Sequence, residues 1–364
     1  MNIETSVRQR YSKGASERQE SLCCPISYDN SLLDQLPDEI IEKDYGCGDP
    51  SRYVQEGDVV LDLGSGGGKI CYMAAQLVGS RGQVIGIDAN DDMLALARKY
   101  QADMSARLGC DRVRFMKGYI QDLALDLDAL ESYLKENPVR SQHDYAGLRA
   151  WENNQRINHP MIPDASVDLV ISNCVLNLVS DHEKQQLVDE IFRVLKPGGR
   201  IAISDIISDK PVPAAMKQDA ELWSGCISGA FQETEFLQSF AARGFQAVCY
   251  DKWESEPWRV MNGIEFRAVT LTALKGPIDT TGQQRHSLIY AGPFAQVMDE
   301  SGRSYPRGER ILVNAAEHAC LTSAAYRGVF IDPDSHSATA SASTPCCSST
   351  STTGNSKSDN GCCG

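Results

Sequence analysis

A doubly wound α/β domain with a parallel sheet is the fold this sequence predicts, and three observations predict it. Short apolar, β-branched runs of strand length recur through the middle of the chain. Stretches with helical apolar spacing separate them, and a run of glycines joins the first strand to the first helix.

The elements follow in order. VVLDLG, Val59 to Gly64, is a short buried strand, SGGGK turns the chain, and ICYMAAQLVG reads as the following helix with Gly79 near its stop. VIGID, Val84 to Asp88, is the second strand, which completes a βαβ unit. Asp91 and Asp92 cap a helix over DDMLALARKYQADMSARLG. Val113 to Gly118 and Val167 to Asn173 are further strands. The helix HEKQQLVDEIFRVLKPGGR closes at Pro197, Gly198 and Gly199, and Arg200 to Asp205 is the next strand. Pro211 to Leu274 reads as a helix, a GF turn, a strand and the alternating strand FRAVTLTAL.

These elements divide the chain into an N-terminal arm (1–44), a main domain (45–275), a small β-rich piece (276–333) and a tail (334–364). The main domain carries an insertion at about 123–162, either a lid or extra helices. Residues 299–302, AspGluSerGly, read as a hairpin turn within the small piece. The tail is mostly Ser, Thr, Ala and Gly without apolar periodicity, and is expected to be disordered.

Charge and composition narrow the function. The chain has 364 residues, 35 Lys and Arg against 49 Asp and Glu, and a net charge of −14, which argues against a nucleic-acid surface. No apolar run approaches a membrane span and the first residues lack an apolar signal core, so a soluble cytoplasmic protein is expected. The thirteen cysteines are many for such a protein. With no secretory signal they point to redox chemistry or soft-metal binding rather than to structural bridges. Cys110, Cys249 and Cys320 read as small buried hydrophobes.

Two constellations carry chemistry. In DLGSGGG, Asp62 to Gly68, the glycines let backbone approach a ligand closely, and Asp88 ends the next strand where a carboxylate grips ribose hydroxyls. The cysteines form the other. Cys174 ends the SNC at the carboxyl end of the fourth strand, where α/β proteins bind ligands. Cys47 stands in TyrGlyCysGly ahead of the first strand, and Cys71 opens the first helix, where the helix N-terminus lowers a thiol pKa. Cys226, in ELWSGCISGAF, has no placement from pattern alone.

An acidic residue ending the first strand before GSG resembles the S-adenosylmethionine-dependent class I methyltransferases, a Rossmann-like fold. That resemblance implies Asp62 near the methionine end, Asp88 on the ribose, and Tyr119 to Asp122 beside the adenine. The implied cofactor residues are Asp62, Gly64, Ser65, Gly66, Asp88, Ala89, Ile120, Gln121 and Asn173. YGCG, DLGSGGGKICY, SNCVLNLV, RVLKPGGRIAISDI and LWSGCISGAF together resemble the arsenite methyltransferases over about residues 45–275. The resemblance implies that Cys174 and Cys226 hold trivalent arsenic, with Cys47 as a further ligand, while Cys47 and Cys71 cycle through a disulfide. It also implies arsenite or its thiol conjugate as substrate, and glutathione or thioredoxin as reductant.

The chemistry agrees, because soft trivalent arsenic prefers thiolates and its lone pair is the nucleophile. A cysteine-free alternative is a methyltransferase of a small organic acceptor, of quinone or sterol type. The paired tail cysteines, Cys346-Cys347 and Cys362-Cys363, suit capture of metalloid on a flexible linker.

Overall fold

The protein is described by a computed structural model over residues 3–19, 28–276, 285–300, 302–333 and 335. The Cys23-Cys24 pair, both tail CysCys pairs and nearly all of the 334–364 tail lie outside the described residues. No helix among the described residues is long and apolar enough to cross a membrane.

The chain opens with helix α1 (Ile3–Ser16) and two short helical turns, α2 (Asn30–Leu33) and α3 (Asp38–Glu42). There follow β1 (Val59–Leu63), α4 (Lys69–Leu77), β2 (Gln83–Asp88), α5 (Asp91–Lys99), α6 (Gln101–Leu108) and β3 (Val113–Lys117). The insertion folds into two helices, α7 (Leu127–Glu136) and α8 (Gln142–Asn158). Next come β4 (Val167–Asn173), α9 (Lys184–Val194), β5 (Leu195–Ser208), α10 (Ala214–Lys217) and α11 (Ala220–Ser224). The main unit closes with β6 (Phe231–Gln232), α12 (Glu233–Arg243), β7 (Phe245–Trp253), β8 (Arg259–Met261) and β9 (Ile264–Lys275).

The main sheet runs β3-β2-β1-β4-β5-β9-β7. Its first five strands are parallel, as the βα alternation requires, whereas β9 pairs antiparallel with β5 and β7 pairs antiparallel with β9. β1 and β4, flanked on both sides, are almost wholly buried and mostly apolar, which is the pattern of a covered parallel sheet. Large apolar clusters form the core, one around Leu63, Ile171's neighbour Val170 and Leu187, the other around Tyr72, Met73 and Phe115.

Three local readings need correction. The cap of α5 is Asn90, whose side chain accepts from the Asp92 and Met93 amides, because the cap is the last extended residue. Asp91 and Asp92 instead fall in the first turn, where they meet the positive end of the helix dipole. The single helix expected after them breaks at Tyr100 into α5 and α6. Leu195 to Gly199 do not close a helix: Pro197 disfavours helix at the preceding residue, the chain is already extended at Leu195, and this stretch begins β5.

The C-terminal piece contains β10 (Arg285–Tyr290), β11 (Gln296–Met298), β12 (Ser304–Pro306), β13 (Arg310–Asn314), α13 (Ala315–Leu321) and β14 (Phe330–Ile331). It has its own small core of Leu288, Tyr290, Tyr305, Val313 and Leu321. The hairpin turn is present, with the Gly302 amide donating to the Asp299 carbonyl at 2.9 Å.

Candidate active site

At the carboxyl ends of β1, β2 and β4 the structure opens a cavity of about 640 Å³. All nine residues expected at the cofactor line it, together with Cys174. Gly64, Gly66 and Gly68 all have positive φ, so the loop after β1 curls its backbone toward the cavity. Asp88 fixes that loop by accepting the Gly66 amide at 2.9 Å and the Asn90 amide at 2.8 Å. Burial pushes the Asp88 carboxyl up. Asp62, 2% exposed, is pushed by burial to about 7, and its carboxyl accepts the Cys71 thiol at 3.2 Å. The Ser65 hydroxyl is buried in the loop with no hydrogen-bond partner among the described residues. Asp122 pairs with Arg156 at 2.8 Å.

One wall was not anticipated. Helix α1 contributes Arg8, Tyr11 and Ser12 to the cavity, and the polar reading of the N-terminal arm gave no sign of it. Asn90 donates to the Arg8 carbonyl at 3.0 Å and to the Ser12 hydroxyl at 3.1 Å. Arg10 donates to the Glu221 carbonyl at 3.0 Å and the Ser224 hydroxyl at 3.1 Å, and so ties the same helix to α11. The helix thus bridges the glycine-loop side and the segment carrying Cys226.

Cys47, Cys174 and Cys226 belong to one buried apolar cluster with Ile206, Met216 and Phe266. The Cys226 thiol donates to the Cys174 carbonyl at 3.3 Å, and the Tyr11 hydroxyl lies 3.8 Å from the same sulfur. Burial first, then the neighbouring thiols, hold the Tyr11 hydroxyl well above its usual pKa. Cys174 and Cys226 both have left-handed backbone, at φ 63° and 62°. That conformation costs about 1–2 kcal/mol for a residue with a Cβ, and such strain concentrates at functional sites.

The Cys47 and Cys174 sulfurs and an Asp205 carboxylate oxygen all lie within 4.8 Å of one another. Asp205 was missed in the sequence, although its place near the carboxyl end of the RIAISD strand was the available signal. It accepts the Asn177 side-chain amide at 2.7 Å and the Ile206 amide at 2.8 Å, and burial pushes it to about 7.

Cys71 is not brought into this group. It is fully buried in the cluster around Tyr72 and Met73, away from the cluster that holds Cys47. The helix N-terminus does not lower its pKa: burial, then the Asp62 charge, push the thiol well above its usual value. Among the other cysteines Cys320 is buried as expected, but Cys110 is half-buried and Cys249 exposed.

A methyltransferase-domain family model matches residues 54–136 and 139–244, just over half the chain. A second model, described as a domain of unknown function, matches 279–361. An arsenite methyltransferase of Aquipseudomonas alcaligenes is 33% identical over 67% of this chain, which spans 62% of that protein's length. One from Mus musculus is 28% identical over 84% of this chain and 74% of its own. The crystal structure of an arsenic(III) S-adenosylmethionine methyltransferase from Chlamydomonas reinhardtii superposes with a TM-score of 0.56 at 25% identity. That match covers 85% of this chain and 96% of the other.

Proposed function

Since the chain belongs to the methyltransferase-domain family, we propose that it methylates trivalent arsenic held by cysteine thiolates, with S-adenosylmethionine as methyl donor. The observation that carries this reading is one buried cluster holding Cys47, Cys174 and Cys226, in which the Cys47 and Cys174 sulfurs lie within 4.8 Å of each other and Cys174 also lines the glycine-loop cavity.

The cavity fits the cofactor on its own features. It has space for a nucleoside with an amino-acid arm, one carboxylate near the end of each of two adjacent strands, and a buried serine hydroxyl without a partner among the described residues. In this reading Asp88 holds the ribose hydroxyls, Ile120 and Gln121 flank the adenine, and Asp62 and Ser65 face the methionine end. The bound cofactor supplies a sulfonium methyl. The protein supplies burial and alignment, and the left-handed backbone at Cys174 and Cys226 sets the direction in which each Cα–Cβ bond leaves the chain.

Arsenic bound by thiolates would form its bond to the methyl carbon with its lone pair while the S–C bond breaks and S-adenosylhomocysteine leaves with that bond's electrons, so that arsenic is formally oxidised by two electrons. A thiol pair returns those electrons by closing to a disulfide, which glutathione or thioredoxin reopens. Cys71, set against Asp62, stays outside the cage.

The test supplies the reduced protein with methyl-labelled S-adenosylmethionine and glutathione, and either arsenite or a small quinol. Labelled methylarsenic species separated by chromatography support the proposal. Label on the quinol, with none on arsenic, overturns it in favour of an organic acceptor.

A further inference from the structure

Resting on that reading, we propose that Asn173 is a positioning residue that fixes Cys47 as the third thiol of the cage, rather than a contact for the cofactor. Asn173 ends β4 directly before Cys174 and is 8% exposed. Although it lines the cavity, its amide is engaged elsewhere. Its oxygen accepts the Cys47 amide at 2.8 Å and the Gly48 amide at 3.0 Å, and its nitrogen donates to the Gly48 carbonyl at 2.8 Å. One side chain therefore makes three hydrogen bonds to two consecutive residues, across 125 positions of sequence.

The glycines of YGCG follow from that clamp. A Cβ at Gly46 would lie 2.2 Å from the Asn173 amide nitrogen, and a Cβ at Gly48 would lie 2.2 Å from the Ser204 hydroxyl. The loop is pressed between those two side chains, and only residues without a Cβ fit on either side of Cys47. A second anchor lies three residues upstream. Asp44 accepts the Lys69 ammonium at 3.0 Å and the Tyr28 hydroxyl at 3.2 Å. Lys69 opens α4 immediately after the glycine loop.

The three thiols are therefore held by different means. Cys174 and Cys226 are aimed by their own left-handed backbone, while Cys47 belongs to no helix or strand and is aimed by Asn173. Arsenite has three exchangeable hydroxyls, so a third thiol can replace the last of them as water leaves. It does so only while the loop holds its sulfur in place. Without the clamp the effective concentration of that sulfur falls, and the last position stays with oxygen.

The experiment loads reduced wild type, Asn173→Ala and Gly46→Ala with one equivalent of arsenite and counts the sulfurs around arsenic by X-ray absorption. S-adenosylmethionine affinity is measured by calorimetry on the same samples. Gly46→Ala keeps the asparagine but forces its side chain and the loop apart, so it serves if Asn173→Ala folds poorly. We expect three sulfurs in wild type and two sulfurs with one oxygen in both variants. Arsenite affinity should fall about ten-fold and cofactor affinity stay within about three-fold.

Three sulfurs retained in the variants overturn the assignment. So does a loss of cofactor affinity with arsenic coordination intact, because Asn173 would then be a cofactor contact. An all-oxygen shell in wild type would instead remove the cage reading itself, and this inference with it.

Discussion

The Asp62 carboxyl lies one residue before the end of β1 in the core, and burial raises it from 3.8 to about 7. Asp62→Asn removes that ionisation and keeps the shape. The folded state binds the proton more tightly than the unfolded chain, so the stabilisation is complete below pH 3.8 and is lost as pH rises through about 7. Across the whole window it is on the order of 4 kcal/mol, and between pH 5.5 and 8 it is about 2 kcal/mol. Asp205, also pushed to about 7, titrates identically in both proteins and cancels in the comparison. Urea unfolding of both proteins without cofactor, at those two pH values, is the assay. The difference in unfolding free energy should shift by about 2 kcal/mol in favour of Asp62→Asn on going from pH 5.5 to 8. In wild type, affinity for S-adenosylmethionine should climb as pH passes through about 7, because the ionised carboxylate meets the cationic methionine end, and it should be flat in the variant. Parallel stability curves would refute the reasoning, since they would mean that Asp62 titrates alike in the folded and unfolded chains.

Cys226→Gly should be more stable than Cys226→Ala by about 1 kcal/mol in a thermal melt, because a Cβ at φ 62° is strained and glycine is not. The same order should hold at Cys174, at φ 63°, and Ala ranking above Gly at both would show the left-handed backbone to be absent. Removing residues 1–18 takes away the wall that carries Arg8, Tyr11 and Ser12. Affinity for S-adenosylmethionine should then fall at least about ten-fold by calorimetry. An unchanged affinity would mean that α1 does not close the site.

Much of the fold was legible because buried strands and glycine turns are local signals. VDLVISN became β4 residue for residue, and the expected cofactor residues line one cavity. The motif order also pointed to the group of relatives that the comparisons return. What escaped was long-range. No local pattern marks β9 as antiparallel to β5, since pairing direction depends on how the chain returns across the sheet. The place of helix α1 at the site left no mark in the sequence because many of its contacts are made by polar groups, Arg8, Arg10 and Ser12 among them, rather than by an apolar stripe. Cys226 could not be placed, for α10 and α11 are too short to show a period. For Cys71 the helix N-terminus was the wrong guide: burial beside a carboxylate outweighs the dipole and raises the thiol.

The most direct test of the cysteine cage is a single turnover of arsenite by wild type, Cys174→Ser and Cys226→Ser, all saturated with S-adenosylmethionine. Melting curves and cofactor titrations verify that each variant is folded and loaded. The cage predicts methylarsenic from wild type and a loss of at least about a hundred-fold in either variant, with cofactor affinity kept. Methylarsenic formed by the variants at the wild-type rate would contradict it.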